Sequence, residues 1–146
     1  MIIKQLSVFI ENTEGILECV TDTLCKHNIN IVSLSLVDAS EYSVLRMIVS
    51  DPERGREVLK EEGLLAKLTD VIAVKTPQKP GMLHDILTAF RDANLHVKYM
   101  YTYSSSENYA TVIMRLSKLD TALSLIKQKG YEVCTDKEAY EIVNLN

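Results

Sequence analysis

The amino-acid sequence predicts an α+β protein built from two ferredoxin-like βαββαβ sandwiches, each an antiparallel four-stranded sheet with helices on one face. Three observations support this prediction. The chain of 146 residues contains one internal repeat, each copy is about seventy residues long, and each copy shows strand and helix patterns in the order β-α-β-β-α-β. Two right-handed strand-helix-strand crossovers separated by a hairpin produce this topology.

The repeat appears when the two halves of the chain are aligned. The offset is 66 residues at first, and 67 after a one-residue insertion in the second copy. The matched pairs include Gly15 with Gly81, Asn28 with Asn94, Ser50 with Ser117, and Gly63 with Gly130. Similarity at a fixed offset indicates two copies of one structural unit. We therefore expect a first domain over residues 1–70 and a second over residues 71–146.

The first half of each copy shows three regular elements. In the first copy, residues 6–10 are mostly apolar and typical of a buried strand. Apolar residues then recur at helical spacing after Gly15, and Asn28 suits a left-handed stop for that helix. Residues 29–37 and 42–49 follow as two strands joined by a hairpin turn.

The second helix of each copy is predicted from a capping signature. Ser50 stands three residues before Glu53, as in a capping box, and Ser117 stands three residues before Asp120 in the second copy. A glycine then ends each helix, and a short strand follows. The segment after Cys134 has a weak helical pattern with no counterpart in the first copy, and the sequence assigns it no role.

Composition excludes several classes of protein. The chain has only three prolines and five glycines, too few for a disordered chain, and no apolar run approaches the ~20 residues of a membrane span. A net charge of −4 argues against binding to nucleic acid. The three cysteines have no metal-ligand spacing, which indicates reduced thiols. We expect a cytoplasmic protein without a signal peptide, bound neither to nucleic acid nor to membrane, and without cofactor or metal.

The loop after the first strand of each copy is the candidate site. It runs from a polar strand end through a glycine into an apolar helix. Glycine lets a ligand approach the backbone, and the free N–H groups of a first helical turn attract a carboxylate. A glycine at this place also serves a tight turn without any ligand. Both interpretations remain open at Gly15 and Gly81.

These loops resemble those of the ACT domain. Residues 10–17 with 27–31 carry the resemblance in the first copy, and residues 76–83 with 93–97 carry it in the second. The resemblance extends to about residue 134, as two tandem copies. ACT domains are ferredoxin-like regulatory modules that bind small ligands, usually amino acids, and are often fused to biosynthetic enzymes. The resemblance implies a non-enzymatic tandem ACT protein with no catalytic domain attached.

The resemblance also implies where a ligand would bind. In the family, two copies pair through their second strands, and the ligand lies between the loop of one copy and the second strand of the other. The pattern Asn-x-Pro-Gly-x-Leu falls on both loops, with Glu14 replacing proline and Gln78 replacing asparagine. These departures imply two unlike sites. The implied ligand-binding residues are Asn12, Thr13, Glu14, Gly15, Ile16, Leu17, Asn30, Gln78, Lys79, Pro80, Gly81, Met82, Leu83 and His96.

Several of these residues also fit purely structural roles. Asn12 suits a helix cap, and Asn30 and His96 suit the solvent face of a strand. Leu17, Met82 and Leu83 fall on the apolar stripes of their helices and suit the core.

Three functions remain under consideration. The favoured one is a sensor or regulator that binds an amino acid or a similar small metabolite, as a homodimer joined through exposed sheet edges. The second is an interaction subunit that pairs with an ACT domain of a metabolic enzyme. An enzyme is the least supported, because the sequence contains no recurring Ser/His/Asp, Cys/His or paired-carboxylate set.

Overall fold

The computed structural model describes residues 2–11 and 13–140. In this part of the chain the residues form two compact units. The N-terminal unit contains residues 4–69 together with Tyr140, and the C-terminal unit contains residues 70–139 together with residues 2 and 3. Among the described residues, no helix has both the length and the apolar character that crossing a membrane requires.

The N-terminal unit has the element order predicted for the first copy. Its elements are β1 (Ile3–Glu11), α1 (Ile16–Lys26), β2 (Ile31–Asp38), β3 (Tyr42–Val49), α2 (Pro52–Glu61) and the first part of β4 (Leu65–Pro77). The strand order is β2-β3-β1-β4. Strand β3 is antiparallel to both of its neighbours, with Val8 opposite Leu45 on one side and Leu36 opposite Leu45 on the other.

The C-terminal unit repeats this order. From Asp70 onward it contains the second part of β4, α3 (Met82–Asp92), β5 (Val97–Ser105), β6 (Tyr109–Leu116), α4 (Leu119–Gln128), β7 (Glu132–Val133) and α5 (Asp136–Tyr140, whose last residue belongs to the N-terminal unit). Strand β4 pairs antiparallel with both β6 and β7, and β6 pairs antiparallel with β5. The prediction of two ferredoxin-like sandwiches is confirmed.

Each unit has its own hydrophobic core between its sheet and its two long helices. In the N-terminal unit, β1, β3 and α1 contribute the fully buried side chains of Leu6, Met47 and Leu24. In the C-terminal unit, Phe90 of α3 is the largest member, and Met114 of β6 is also fully buried. Burying such side chains supplies the main favourable free energy of folding, roughly 1.5–3 kcal/mol for each.

The first helices end as the sequence predicts. Asn28 and Asn94 follow α1 and α3 with φ angles of 56° and 57°. Asparagine tolerates this left-handed conformation better than other non-glycine residues. The chain turns at both positions. The Ile29 N–H then donates to the Leu24 carbonyl, and the Leu95 N–H donates to the Phe90 carbonyl.

The capping boxes predicted for the second helices are wrong. Asp51 caps α2, accepting a hydrogen bond from the Arg54 N–H at 3.2 Å, and Lys118 begins α4 without a side-chain cap. Ser50 Oγ instead accepts from the N–H of Asn30 at 2.9 Å, and Ser117 Oγ accepts from the N–H of His96 at 3.2 Å. Each serine hydroxyl thus accepts a hydrogen bond from a backbone N–H before a strand rather than from an N–H of its own helix. The spacing in the sequence does not reveal this partner.

Residues 134–139 are fixed onto the C-terminal unit. The Cys134 N–H donates to the Ala73 carbonyl at 2.9 Å, and the Tyr103 hydroxyl donates to the Ala139 carbonyl at 2.9 Å. Thr135 and Glu138 cap the short helix reciprocally, each accepting from the other's N–H. Ala139 is completely buried. Residues 134–139 are therefore an integral part of this unit.

Candidate ligand-binding site

The two candidate loops have the same backbone conformation. Gly15 precedes α1 with φ 81°, and Gly81 precedes α3 with φ 88°. Three backbone hydrogen bonds recur at equivalent positions. In the first loop, the amides of Thr13, Ile16 and Cys19 donate to the carbonyls of Glu11, Thr13 and Gly15, respectively. In the second loop, the amides of Lys79, Met82 and Asp85 donate to the carbonyls of Pro77, Lys79 and Gly81. The turn is thus common to both copies despite their different side chains.

The positive φ angle explains both glycines structurally, because side chains disfavour this conformation. A Cβ atom built on either glycine meets no atom within 4 Å. The space beside each backbone is therefore open. The residue that caps each of these helices is the glycine, so no capping side chain accepts from the amides of α1 or α3. An N-terminus of this kind is favourable for a carboxylate.

A cavity of about 390 Å³ lies against the first loop. Five of the predicted residues line it: Thr13, Glu14, Gly15, Ile16 and Leu17. Asn12, the remaining predicted residue of this loop, lies outside the residues that the structure describes. Leu17 is 38% exposed, so it faces the cavity rather than the core. Ile16 contributes to both, since it also packs against the core of the N-terminal unit.

Five further residues line this cavity and are absent from the predicted set. They are Ile10, Glu11, Glu18, Leu36 and Ser43. Glu11 and Glu18 flank the loop in sequence, and helical spacing from Glu14 would have indicated Glu18. Leu36 and Ser43 come from β2 and β3, and only the folded sheet brings them to the loop. Ser43 is almost completely buried, and its hydroxyl donates to Asp38 Oδ1 at 3.5 Å.

Asn30 and His96 lie away from the loops of their own units. Asn30 lines a separate cavity of about 370 Å³ with Thr21 and Cys25, near the opposite end of α1. His96 occupies the same place after α3. Helices α1 and α3 each have 11 residues, which places their ends about 16 Å apart. Neither unit therefore brings its strand residue to its own loop.

The second loop is held by the turn between β5 and β6. Gln78 Nε2 donates to Ser105 Oγ at 2.8 Å, and the Gln78 N–H donates to the Asn108 carbonyl at 2.8 Å. Lys79 and Pro80 are exposed. The loop's two apolar members differ in environment, since Leu83 packs against the core and Met82 is half-buried.

Asp85 follows this loop and accepts a hydrogen bond from the Tyr131 hydroxyl at 2.9 Å. Burial and this hydrogen bond raise the pKa of Tyr131 above its ordinary value. The carboxylate is thus engaged inside the unit. Within residues 2–11 and 13–140, no three His, Cys, Asp or Glu side chains are grouped so as to hold a metal ion.

Comparisons with known proteins identify the family. Residues 1–143 match the family described as an ACT domain pair. A protein of known structure from Bacteroides thetaiotaomicron is 33% identical and superposes with a TM-score of 0.91, covering 97% of this chain and 98% of that chain. No curated protein matches the sequence.

Two structures of an aspartate kinase regulatory subunit share the fold. The subunit from Thermus thermophilus, in its ligand-free form, superposes with a TM-score of 0.63, and the subunit from Thermus flavus with 0.60. Each is 18% identical, and each comparison covers 86% of this chain and 90% of that chain. At this identity the likeness shows the fold alone. The family match over residues 1–143, together with the two βαββαβ units, shows that the chain belongs to the ACT domain family, as an ACT domain pair.

Proposed function

We propose that this protein is a non-enzymatic regulatory protein that binds an amino acid through its ACT domains. Residues 1–70 and 71–146 each form one such domain in this proposal. The observation that carries it is the 390 Å³ cavity at the first loop, where residues 13–17, matched to the family's ligand-binding pattern, lie together. Its volume falls within the range of small-molecule sites.

The chemistry of the loop suits an amino acid. The ligand's carboxylate would meet the amides at the start of α1, where the helix dipole favours negative charge. Its side chain would contact Ile10, Leu17 and Leu36, the apolar part of the lining. A second, unlike site would form at residues 78–83. Asn30 and His96 would contribute from a paired ACT domain, as in the family arrangement.

Regulation would follow from a difference in affinity between two arrangements of the protein. A ligand that contacts two paired domains binds the paired arrangement more tightly than the separated one. It shifts the equilibrium toward pairing by the free energy of that difference. We propose that the pairing occurs in a homodimer, whose oligomeric state then responds to the ligand.

The deciding experiment is isothermal titration of the full chain with each of the twenty amino acids. At least one is expected to bind with measurable heat, and Leu17→Gln is expected to weaken it because the change removes apolar contact at an exposed position. Leu65→Gln is the matched control, since Leu65 is 63% exposed and lies outside this cavity. No heat with any amino acid would contradict the proposal.

A second candidate is an interaction subunit that pairs with an ACT domain of a metabolic enzyme. The observation in its favour is the apolar surface on the edge strands. Leu34 and Leu36 of β2 and Met100 of β5 are each at least 40% exposed. Such surfaces commonly mark interaction sites. This function predicts a stable complex with an ACT-containing enzyme without added ligand, which co-purification and mass spectrometry would identify and Leu34→Asp would abolish.

A further inference from the structure

We propose that the first-loop cavity selects an amino acid with a positively charged side chain, and that acidic residues of this loop determine the selectivity. The inference rests on the proposed function above and names the class of ligand. Three glutamates, Glu11, Glu14 and Glu18, are among the residues that line the cavity. Among the described residues of its lining there is no lysine, arginine or histidine.

The second copy provides an internal comparison. At the offset of 66 residues, proline replaces Glu11 and Glu14, and His84 replaces Glu18. Lys79 occupies the place of Thr13. The first loop is therefore strongly acidic, whereas the second carries a positive charge and none of the three carboxylates.

The carboxylates are not required to build the turn. The second loop reproduces the left-handed glycine and all three backbone hydrogen bonds without them. Only Glu18 has an evident structural use, because an acidic side chain in the first turn of a helix interacts favourably with its dipole.

The arrangement suits a ligand with both signs of charge. Its α-carboxylate would meet the amides at the start of α1. Its aliphatic chain would follow Leu17 and Leu36, and its distal cationic group would lie among the carboxylates. Lysine, ornithine and arginine have this combination. Norleucine has nearly the shape of lysine but lacks the distal charge, so a comparison of the two isolates the electrostatic contribution.

The test is a titration of the full chain with L-lysine and L-norleucine. An exposed ion pair contributes up to about 1 kcal/mol, or about fivefold in affinity, so several carboxylates should give lysine an advantage of about tenfold or more. Raising the salt concentration should reduce this advantage, because salt screens exposed charges. L-glutamate should bind more weakly than norleucine.

The variant Glu14→Gln with Glu18→Gln should lower lysine affinity about five- to tenfold and change norleucine affinity by a clearly smaller factor. Glu61→Gln removes one exposed charge on α2, outside the cavity, and should change neither affinity. Circular dichroism confirms that each variant is folded. Equal binding of lysine and norleucine, or an unchanged lysine affinity in the double variant, overturns the inference and leaves amino-acid binding intact. No heat with any of the twenty amino acids overturns the proposed function itself.

Discussion

Backbone conformation decides which residues can stand at the turns of both units. Gly15, with φ 81°, and Asn28, with φ 56°, bracket α1, and their counterparts bracket α3 in the same way. Left-handed conformations are sterically disfavoured for side-chain-bearing residues, but less so for asparagine. The identity of these residues is therefore explained before any ligand is considered, and a test of ligand binding should not alter them.

Replacing Gly15 tests this structural role directly. Gly15→Ala should lower the free energy of unfolding by about 1–2 kcal/mol, because alanine is strained at φ 81° although its Cβ meets no neighbour. Gly15→Asn should cost clearly less. Urea denaturation of the three proteins measures both differences. Equal losses for alanine and asparagine would show that backbone strain does not explain the glycine.

Tyr103 makes the free energy of unfolding depend on pH in the alkaline range. Burial raises the pKa of its hydroxyl above the ordinary value, and the nearby Cys134 thiolate adds to the shift. The folded protein thus holds this proton more tightly than the unfolded chain. The resulting stability is complete below the unfolded pKa of about 10 and is lost as the pH rises toward the higher folded pKa.

The variant Tyr103→Phe separates this effect from the hydrogen bond. At neutral pH it should be less stable than the unaltered protein by about 0.5–1.5 kcal/mol, since the bond to the Ala139 carbonyl is lost. The difference should shrink as the pH rises above about 10. Denaturation curves across this range measure it, with Tyr109→Phe as the control for an exposed ring. A difference that is constant with pH would contradict the assignment.

At the scale of secondary-structure elements, the second helices show how tertiary contacts change a local preference. A serine three residues before an acid favours a capping box. Here Ser50 and Ser117 instead accept hydrogen bonds from the N–H groups of Asn30 and His96, just before β2 and β5. Each helix therefore begins one residue later than the pattern indicates. In α2 the capping residue is Asp51, whose carboxylate can accept a hydrogen bond from a helix amide. In α4 the equivalent residue, Lys118, cannot.

The helix starts can be distinguished by substitution. Asp51→Ala should lower the free energy of unfolding by about 1 kcal/mol, because it leaves the Arg54 N–H without its side-chain acceptor. Lys118→Ala should have little effect, since Lys118 makes no side-chain cap. Thermal or urea denaturation measures both. A comparable loss for the two variants would show that the Asp51 cap adds no stability.

For the whole molecule, two units of the same fold carry loops of different charge. A ligand that binds only the folded protein stabilises it by an amount that depends on its concentration relative to its Kd. At 100 times the Kd this is about 2.7 kcal/mol. The amino acid that gives heat in the titration should therefore raise the Tm, and the same amino acid should raise it less in Leu17→Gln at equal concentration. An unchanged Tm at saturation would show that the ligand does not favour the folded state.

Much of the fold could be predicted because its signals are local. Strand alternation, helical periodicity and the turn residues act over a few positions, and the repeat allowed each element to be identified twice. The functional interpretation was less complete. Thr13, Glu14, Gly15, Ile16 and Leu17 line one cavity. Asn30 lines another, because an 11-residue helix separates the two ends of this part of the chain.

The sequence by itself determined the two βαββαβ units, their left-handed stops at Asn28 and Asn94, and the contrast in charge between the two loops. Each of these depends on residue type and on short spacings. Only the tertiary structure decided that Leu36 and Ser43 close the cavity, and that Ser50 bonds to the Asn30 backbone instead of capping a helix. The physical reason is that the lining of the cavity and the hydrogen-bond partner of Ser50 both depend on residues that are distant in the sequence. The pairing of strands in the sheet decides which of these residues come close together.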